Sequence, residues 1–389
     1  MDIAASTECR NAGSGPHSGN PLDRLLSRSS AADWDSLRSK SLTGKSVLIT
    51  GAGGSIGSAL AHAAAASQPA SLILFDSSEN GLYQVDRSLR EDGSRQHVSI
   101  LGNVCNADTL DHVFAEHQPE IIFHAAASKH VPLMEQNPFA AIENNVFGTL
   151  ALTQATAAHD VERLVLVSTD KAVDPCSMMG ASKRIAELLL MSADTSTPRT
   201  VVRLCNVMGS QGSVLPLFLE QIAKGGPVTV THPEVQRYFI TLDEAVGALF
   251  GALNVASSRV FLVPAICSAV RILDLARRLI ESRQSSAVIE FTGLRPGDRL
   301  AEQFLSSRES LSPLVMADQS GLRVVQTPLR SAAELRVALQ TLKEAIRRHD
   351  LQLLLHGVWA LVPEYQRSSL ITANFKNEGV LELASEMKA

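Results

Sequence analysis

The segment that decides the fold is Ser46-Val47-Leu48-Ile49-Thr50-Gly51-Ala52-Gly53-Gly54-Ser55-Ile56-Gly57. Its apolar beginning, Ser46–Thr50, predicts a buried strand, and the Ala-rich stretch Ser55–Ala66 predicts a helix. The turn between them has the glycine spacing G-x-x-G-x-x-G. Such a turn lets the backbone approach a pyrophosphate closely, while the helix N-terminus donates hydrogen bonds to it. We therefore predict a dinucleotide-binding turn with contacts from Gly51, Gly54, Ser55, Ile56 and Gly57.

A carboxylate follows directly after the next predicted strand. The run Ser71–Phe75 is followed at once by Asp76, about 20 residues after the last glycine, which is the spacing of an acidic residue that binds a ribose 2′-hydroxyl. No arginine that could bind the 2′-phosphate of NADP follows in Ser77–Asn80. A glycine-rich turn without a ligand is the alternative. The strand, the glycine spacing and the carboxylate together favour NAD.

Strands and helices continue to alternate beyond Asp76. Further strands are predicted over His97–Leu101, Ile121–Ala125, Arg163–Val167 and Thr200–Leu204, with helical stretches between them. This alternation is typical of an α/β fold with a Rossmann-type doubly wound parallel sheet. The pattern weakens after Asn206, where it predicts a strand over Val288–Phe291 and helices over Leu215–Lys224, Asp243–Ala256, Ile272–Ser282 and Ser331–Arg348.

We predict four segments from this pattern. Residues 1–43 form a disordered polar leader and a short packed arm, and residues 44–205 form the NAD-binding Rossmann domain. Residues 206–330 form a smaller substrate-binding lid of mixed α/β structure, and residues 331–389 form a helical extension that frays from Thr372 onwards.

Composition and charge exclude several classes of protein. The net charge of −5 gives no electrostatic basis for binding nucleic acid or an anionic membrane. None of the five cysteines belongs to a Cys-x-x-Cys pair, so neither a zinc site nor a disulfide framework is expected. The sequence has no signal-peptide core and no apolar run of about 18 residues. We therefore expect a cytoplasmic protein without a bound metal or a transmembrane segment.

Chemically useful side chains gather at the end of the predicted strand Arg163–Val167. Thr169, Asp170 and Lys171 supply a hydroxyl, a carboxylate and an amine at the edge where parallel sheets place their chemistry. Many sugar-nucleotide enzymes follow this strand with Tyr-x-x-x-Lys. Here Lys183 is present but Met179 stands at the tyrosine position. Taken alone, the triplet at 169–171 could be an ordinary polar exit from a strand, but the glycine turn and Lys183 favour catalysis.

Longer motifs resemble those of the extended short-chain dehydrogenase/reductases. Within them, the chain is most similar to the UDP-N-acetylglucosamine 4,6-dehydratases in which methionine replaces the catalytic tyrosine. The resemblance covers about residues 42–364 and corresponds to the catalytic part of longer proteins that carry membrane helices. The matching motifs are Thr50–Gly57, Ala125–Pro132, Asn145–Thr149, Ser168–Lys183, Val201–Val207, Gly226–Pro233, Arg237–Phe239 and Gly293–Gly297.

The resemblance implies a role for each residue of the site. The reaction is an internal redox with NAD, in which hydride leaves carbon 4 of the hexose, water is lost across carbons 5 and 6, and hydride returns to carbon 6. Asp170 then protonates the leaving hydroxyl, Lys171 removes the proton from carbon 5, Thr169 holds the carbon 4 hydroxyl, Lys183 binds the nicotinamide ribose, and Met179 packs against sugar or cofactor. Further cofactor contacts are implied for Asn103, Val104, Ala125 and Ala126, and substrate contacts for Lys129, Asn206, Arg237 and Arg295.

Two observations bear on the substrate and on the alternatives. The guanidinium groups of Arg237 and Arg295 suit the diphosphate of a UDP-sugar, although surface ion pairs would explain them as well. Asn103 stands where the family carries an aspartate that meets the adenine amine, and this departure leaves a non-catalytic nucleotide-sugar-binding relative as one alternative. The other is a dehydratase that also inverts carbon 5. In each case we expect a homo-oligomer.

Overall fold

The computed structural model describes residues 42–265, 269–312 and 321–374. Nearly all of the predicted leader and arm lies outside the described residues, and so does most of the end predicted to fray. The described part of that end is helical, since the backbone N–H of Thr372 donates to the carbonyl of Ser368 at 3.0 Å.

One large sheet organises the protein. In chain order the strands are β1 (Ser46–Thr50), β2 (Ser71–Asp76), β3 (His97–Leu101), β4 (Ile121–His124), β5 (Arg163–Thr169), β6 (Arg199–Leu204), β7 (Asn206–Val207), β8 (Val228–Val230), β9 (Gln236–Arg237), β10 (Phe239–Ile240), β11 (Arg259–Pro264), β12 (Val270–Arg271), β13 (Ile289–Phe291), β14 (Ser310–Leu311) and β15 (Leu322–Gln326). Nine of them form the sheet β14-β15-β11-β6-β5-β4-β1-β2-β3. Strands β1 to β6 are parallel, and their order reverses between β1 and β4, where open sheets form a ligand-binding crevice.

Some of the α-helices cover both faces of this sheet. In chain order the α-helices are α1 (Ser55–Ala66), α2 (Glu79–Glu91), α3 (Ala107–His117), α4 (Val131–Gln136), α5 (Pro138–Ile142), α6 (Gly148–Ala157), α7 (Met178–Ser192), α8 (Val214–Ala223), α9 (Leu242–Gly251), α10 (Ile272–Ser282), α11 (Ala332–Arg348) and α12 (Leu351–Leu361). Apolar residues of α1, α2 and α9 pack on one face, and those of α3, α6 and α7 pack on the other. The predicted Rossmann-type doubly wound fold is confirmed.

The structure differs from the sequence-based prediction in the second half of the chain. Three strands from beyond residue 205 extend the central sheet, because β11 pairs in parallel with β6 and β15 pairs antiparallel with β11. The predicted domain boundaries stay a prediction, but the sheet itself crosses the one at residue 205. The helix expected over Asp243–Ala256 ends at Gly251 and continues as a 3₁₀ turn over Ala252–Asn254.

The C-terminal helices support the helix that carries Met179 and Lys183. Helices α11 and α12 form an antiparallel pair whose apolar residues pack with those of α4, α5 and α7 in one cluster. Helix α11 begins with a capping box, in which the Ser331 hydroxyl accepts from the backbone N–H of Glu334 and the Glu334 carboxylate accepts from that of Ser331. The extension therefore positions α7 from the side opposite the sheet.

Candidate active site

The turn after β1 brings backbone segments so close together that glycines are needed there. Gly51 has a φ of +72°, and a Cβ on it would lie 2.5 Å from the backbone nitrogen of Ala126. A Cβ on Gly57 would overlap the carbonyl oxygen of Gly51. These glycines are therefore required by close approaches of the backbone. The Asp76 carboxylate accepts hydrogen bonds from the backbone N–H groups of Gly53 and Ser78, each at 2.8 Å, and so the end of β2 is tied to the turn.

A cavity of about 300 Å³ lies over this turn, at the reversal point of the sheet. It is lined by predicted cofactor residues, namely Gly51, Gly54, Asp76, Asn103, Val104, Ala125 and Ala126. Asn103 uses its side-chain oxygen to accept from the backbone N–H of Cys105 at 2.9 Å. The remaining side-chain atom of Asn103 is an amide nitrogen, which can donate a hydrogen bond but cannot accept one.

A second cavity, of about 510 Å³, adjoins the first and shares Gly51, Gly54 and Ala125 with it. Its lining brings together most of the remaining predicted residues, namely Ser55, Ile56, Gly57, Lys129, Thr169, Lys171, Met179, Lys183 and Asn206. The two cavities have room for the two halves of an elongated ligand, with the glycine turn between them. The residue types suit an adenosine-like part in the smaller cavity and the reacting groups in the larger one.

Lys183 lies buried on α7 and faces β5. Its Nζ donates to the backbone oxygen of Val167 at 2.7 Å. Burial lowers the pKa of Lys183 to about 8, and the charge of Glu187 opposes this shift only in part. Met179 lies one turn earlier on α7 with 4% of its surface exposed, and lines the larger cavity. A lysine that can be neutral near physiological pH thus stands beside a side chain that cannot exchange a proton.

Asn145 connects α7 to the loop after β4. It lies in a π-helical turn over Glu143–Phe147, a feature frequent at functional sites. Its side-chain oxygen accepts from the backbone N–H of Ser128 at 2.8 Å, and its amide donates to the Ser128 carbonyl and to the Ser182 hydroxyl. The side chain is thus fully used in fixing the walls of the cavity.

The end of β5 carries the predicted acid and base in direct contact. The Thr169 hydroxyl donates to Oδ1 of Asp170 at 2.9 Å, and Nζ of Lys171 donates to the same oxygen at 3.0 Å. Nζ of Lys171 also donates to Oδ1 of Asn206 at 3.1 Å. Asp170 is fully buried, and no described residue gives its Oδ2 a hydrogen bond. Lys171 lines the larger cavity, whereas Asp170 lies beneath this lining and is not part of it.

Two opposing effects set the pKa of Lys171, and the sequence alone leaves their balance open. Burial lowers the pKa, but the charges of Asp170 and Glu302 outweigh burial, and the pKa of Lys171 is raised. Lys171 is therefore charged in the resting site, and its action as a base requires a proton transfer within the site.

Glu302 is a site residue that the sequence did not reveal. Its carboxylate is buried, and its Oε1 lies 3.7 Å from Nζ of Lys171 and 3.6 Å from Nε of Arg237. Its Oε2 lies 3.5 Å from Nε of Arg299. In the sequence, Glu302 follows a turn rich in Gly and Pro and forms no motif with Arg237 or Lys171, which lie far away along the chain. Only the i, i+3 spacing to Arg299 was a local signal.

The two arginines predicted for a diphosphate have different surroundings. Arg237 points toward Glu302, and its Nη1 donates to the carbonyls of Gln236 and Leu300. Arg295 is 57% exposed and pairs with Asp298 at 2.8 Å. Neither arginine is among the described residues that line the two cavities. Their role in binding a diphosphate stays a prediction.

A loop between β7 and α8 crosses the junction of the two cavities. The backbone N–H of Gln211 donates to the Ser55 hydroxyl at 3.0 Å, and the carbonyl of Gln211 accepts from Nζ of Lys129 at 2.9 Å. Gln211 lines both cavities. Lys129, predicted to contact substrate, thus also holds this loop, and burial lowers its pKa. Gly212 has a φ of +70° beside the ring of His130.

Two further findings hold for the described ranges. None of their helices has the length and hydrophobicity needed to cross a bilayer. Within the same ranges, no group of three or more His, Cys, Asp or Glu side chains is arranged to hold a metal ion.

Comparison with known proteins gives the family of the chain. Residues 47–321 match the family model described as polysaccharide biosynthesis protein. The capsular polysaccharide biosynthesis protein CapD of Staphylococcus aureus is 41% identical over 74% of this chain and 49% of its own length. A UDP-glucose 4-epimerase of Rickettsia rickettsii is 33% identical over 68% of this chain and 79% of its own length. The chain thus spans about half the length of CapD and more of the epimerase.

Solved structures agree with the observed fold. The X-ray structure of Pen from Bacillus thuringiensis is 29% identical, covers 74% of this chain and 89% of its own, and superposes with a TM-score of 0.67. The Thermus thermophilus UDP-glucose 4-epimerase complex with NAD is 22% identical over 71% of this chain and 96% of its own, with a TM-score of 0.57, and supports the fold alone. By its motifs, fold and relatives, the chain belongs to the polysaccharide biosynthesis protein family of extended short-chain dehydrogenase/reductases.

Proposed function

We propose that this protein is an NAD-dependent nucleotide-sugar 4,6-dehydratase that converts a UDP-N-acetylglucosamine-like substrate into a UDP-4-keto-6-deoxy sugar. The observation that carries the proposal is the hydrogen-bonded group of Thr169, Asp170 and Lys171 beside Lys183, with Met179 at the position of the usual tyrosine. Removing water across carbons 5 and 6 requires one acid and one base, and a simple 4-epimerase requires neither Asp170 nor Lys171.

The residues around the cavities fit NAD as the cofactor. The close approaches at Gly51 and Gly57 leave backbone where a pyrophosphate would sit, and Asp76 is placed for a ribose hydroxyl. When bound, NAD supplies the hydride acceptor and donor for the internal redox. Lys183, with a pKa of about 8, is suited to the nicotinamide ribose and to proton exchange near neutral pH.

The contact between Lys171 and Asp170 explains how an ion pair could provide both an acid and a base. Moving one proton across the 3.0 Å contact from Nζ to Oδ1 converts ammonium and carboxylate into amine and carboxylic acid. The number of bound protons does not change, so no proton needs to enter from solvent. Such positioned proton transfers typically contribute about 10² to 10⁴ in rate. The neutral pair is then the form that acts on the sugar.

The protons balance over one turnover through the same residues. Thr169 holds the carbon 4 hydroxyl, and the amine form of Lys183 takes its proton, because Asp170 is already protonated in the neutral pair. Asp170 delivers the proton that it received from Lys171 to the hydroxyl leaving from carbon 6 through the Thr169 hydroxyl, which lies 2.9 Å from Oδ1 and lines the cavity, and water forms. Lys171 takes the proton from carbon 5 and returns it to carbon 5 after carbon 6 has been reduced. The proton on Lys183 then passes to Lys171, and the resting ion pair is restored.

The test is incubation of the purified protein with a panel of UDP-sugars, followed by NMR of the products. We expect a 4-keto-6-deoxy product, formed without added reductant and lost in Asp170→Asn and Lys171→Ala. Protein that holds NAD but forms no product from any sugar of the panel would refute a dehydratase. Product stereochemistry and solvent-deuterium placement at carbon 5 separate a retaining from an inverting enzyme.

A 4-epimerase is the second candidate, because a relative of that name matches 68% of the chain. An epimerase would return the sugar with all its hydroxyl groups and with carbon 4 inverted. The same NMR experiment distinguishes this product from a deoxy sugar by the absence of a methyl signal from carbon 6. A non-catalytic binder would give neither product, and its biological activity would survive Asp170→Asn.

A further inference from the structure

Two buried carboxylates share the ammonium group of Lys171. Oδ1 of Asp170 lies 3.0 Å from Nζ, and Oε1 of Glu302 lies 3.7 Å from it. In the described parts of the chain, Oδ2 of Asp170 and Oε2 of Glu302 accept no hydrogen bond. Glu302 is therefore held by charge rather than by donors directed at its oxygens. It is connected to the site mainly through the lysine and two arginines.

The charged groups around Glu302 come from three parts of the fold. Lys171 and Asp170 approach from the 3₁₀ turn after β5, Arg237 approaches from β9, and Arg299 belongs to the same loop as Glu302. Burial raises the pKa of Glu302, with a further contribution from Asp170, while Lys171 and the arginines oppose the rise. The arginines thus help Glu302 keep a negative charge beside the lysine.

The consequence concerns the proton that Lys171 and Asp170 share. A negative charge near Nζ favours the ammonium form of Lys171 over the amine form. The amine form is the one that can remove a proton from carbon 5. The negative charge on Glu302 therefore disfavours the neutral form of the Lys171–Asp170 pair. The strength of this interaction sets the fraction of molecules in which the neutral pair is present.

We propose that Glu302 is a positioning residue that acts through Lys171, and that its charge sets the distribution of the proton between Lys171 and Asp170. The catalytic part of this inference rests on the proposed dehydratase function. The proton equilibrium of Lys171 does not, because it can be measured without any substrate.

Three variants and one control isolate the charge. Glu302→Gln keeps the shape and removes the charge, so the apparent pKa of Lys171 falls by about one unit or more. Glu302→Asp keeps the charge and preserves most of the wild-type value. Glu302→Ala removes both charge and bulk and gives the same shift should the Gln variant not fold. Glu309→Gln is the matched control, since it removes a buried carboxylate that pairs with Arg203 at 2.8 Å instead of with Lys171.

The measurement is competitive acetylation of the full-length protein over a range of pH, with the Lys171 peptide quantified by mass spectrometry. We expect the labelling midpoint of Lys171 in Glu302→Gln to lie at least one pH unit below that of the wild type. The midpoints of Glu302→Asp and Glu309→Gln stay near the wild-type value. An unchanged midpoint in Glu302→Gln, or an equal shift in Glu309→Gln, overturns the proposal.

The pH profile of turnover supplies the second readout. The basic limb of kcat/KM in Glu302→Gln shifts to lower pH in step with the labelling midpoint, because the active pair holds one shared proton and its loss from Lys171 ends turnover. A lower kcat with an unmoved limb would mean that Glu302 is only structural and would overturn the proposal. If the midpoint shifts as expected but the wild type dehydrates no sugar, the dehydratase function fails and the control of Lys171 by Glu302 stands.

Discussion

Replacing Lys183 by methionine should remove activity and abolish the pH dependence of stability that this lysine causes. The side chain is 5% exposed, and its pKa is lowered from 10.5 to about 8, chiefly by burial. In the unfolded chain Lys183 regains its ordinary pKa, so below pH 8 the folded state carries a buried charge that the unfolded state solvates better. The destabilisation is fully present at neutral pH and disappears as the pH rises from 8 through 10.5.

The size of the effect follows from the shift. Between pH 7 and pH 10, the free energy of unfolding of the wild type should rise by about 2 to 3 kcal/mol relative to that of Lys183→Met. This follows because each unit of pKa shift corresponds to about 1.4 kcal/mol. The titration of all other groups cancels in this difference. Methionine also forfeits the hydrogen bond from Nζ to the Val167 carbonyl, which costs the variant about 1 to 3 kcal/mol and opposes its gain at neutral pH. The change of the difference with pH is therefore the quantity that reports the pKa of Lys183.

Urea unfolding of both proteins at pH 7, 8, 9 and 10 measures this difference. Lys224→Met, which removes a lysine whose side chain is 71% exposed, is the control for losing a lysine in general. We expect the difference in free energy of unfolding between wild type and Lys183→Met to change with pH. The corresponding difference for Lys224→Met should be the same at every pH. A difference that is the same at pH 7 and pH 10 would refute the assignment of a lowered pKa to Lys183.

Three further predictions test other parts of the site. Gly57→Ala forces a Cβ onto the Gly51 carbonyl, so we expect a loss of about 1 to 3 kcal/mol in urea unfolding and NAD binding too weak to survive gel filtration. Asp170→Asn should lower the rate of product formation in the NMR assay by about 10² to 10⁴ and leave the NAD affinity from calorimetry unchanged. Asn103→Asp should tighten NAD binding by about tenfold in the same calorimetry, because a carboxylate can accept from the adenine amine and still accept from Cys105.

The first half of the fold could be predicted because its signals are local. A strand, a glycine turn and a helix follow one another within Ser46–Ala66, and the observed bounds of β1 and α1 equal the predicted ones. Strand β11 was not predicted, although it lies in the middle of the sheet's second half. Its neighbours are β6 and β15, and this pairing joins segments that are separated by about 60 residues on either side. No periodicity within a short window reports such a partner.

The same distinction holds for the site. Thr169, Asp170 and Lys171 are adjacent in sequence, and Lys183 follows on the next helix, so a motif contains them all. Glu302 and the Gln211 loop reach the site from the second half of the chain, where the backbone has few regular elements. Their contacts are set by the tertiary fold and not by any spacing. The raised pKa of Lys171 could not be predicted for the same reason, since one of its two causes is Glu302.

The contacts among Thr169, Asp170 and Lys171 explain how a methionine at position 179 is compatible with the proposed reaction. In a Tyr-x-x-x-Lys enzyme the tyrosine exchanges the hydroxyl proton of the substrate, and a methionine there would stop the reaction. Here the Thr169 hydroxyl, Asp170 and Lys171 form a continuous hydrogen-bonded path, and its two ends, Thr169 and Lys171, line the same cavity as Met179. In the proposed mechanism this path supplies the acid and the base, so the elimination needs no proton from residue 179. A tyrosine at position 179 would add a second acid beside this path. We therefore expect Met179→Tyr not to raise the rate of product formation in the NMR assay.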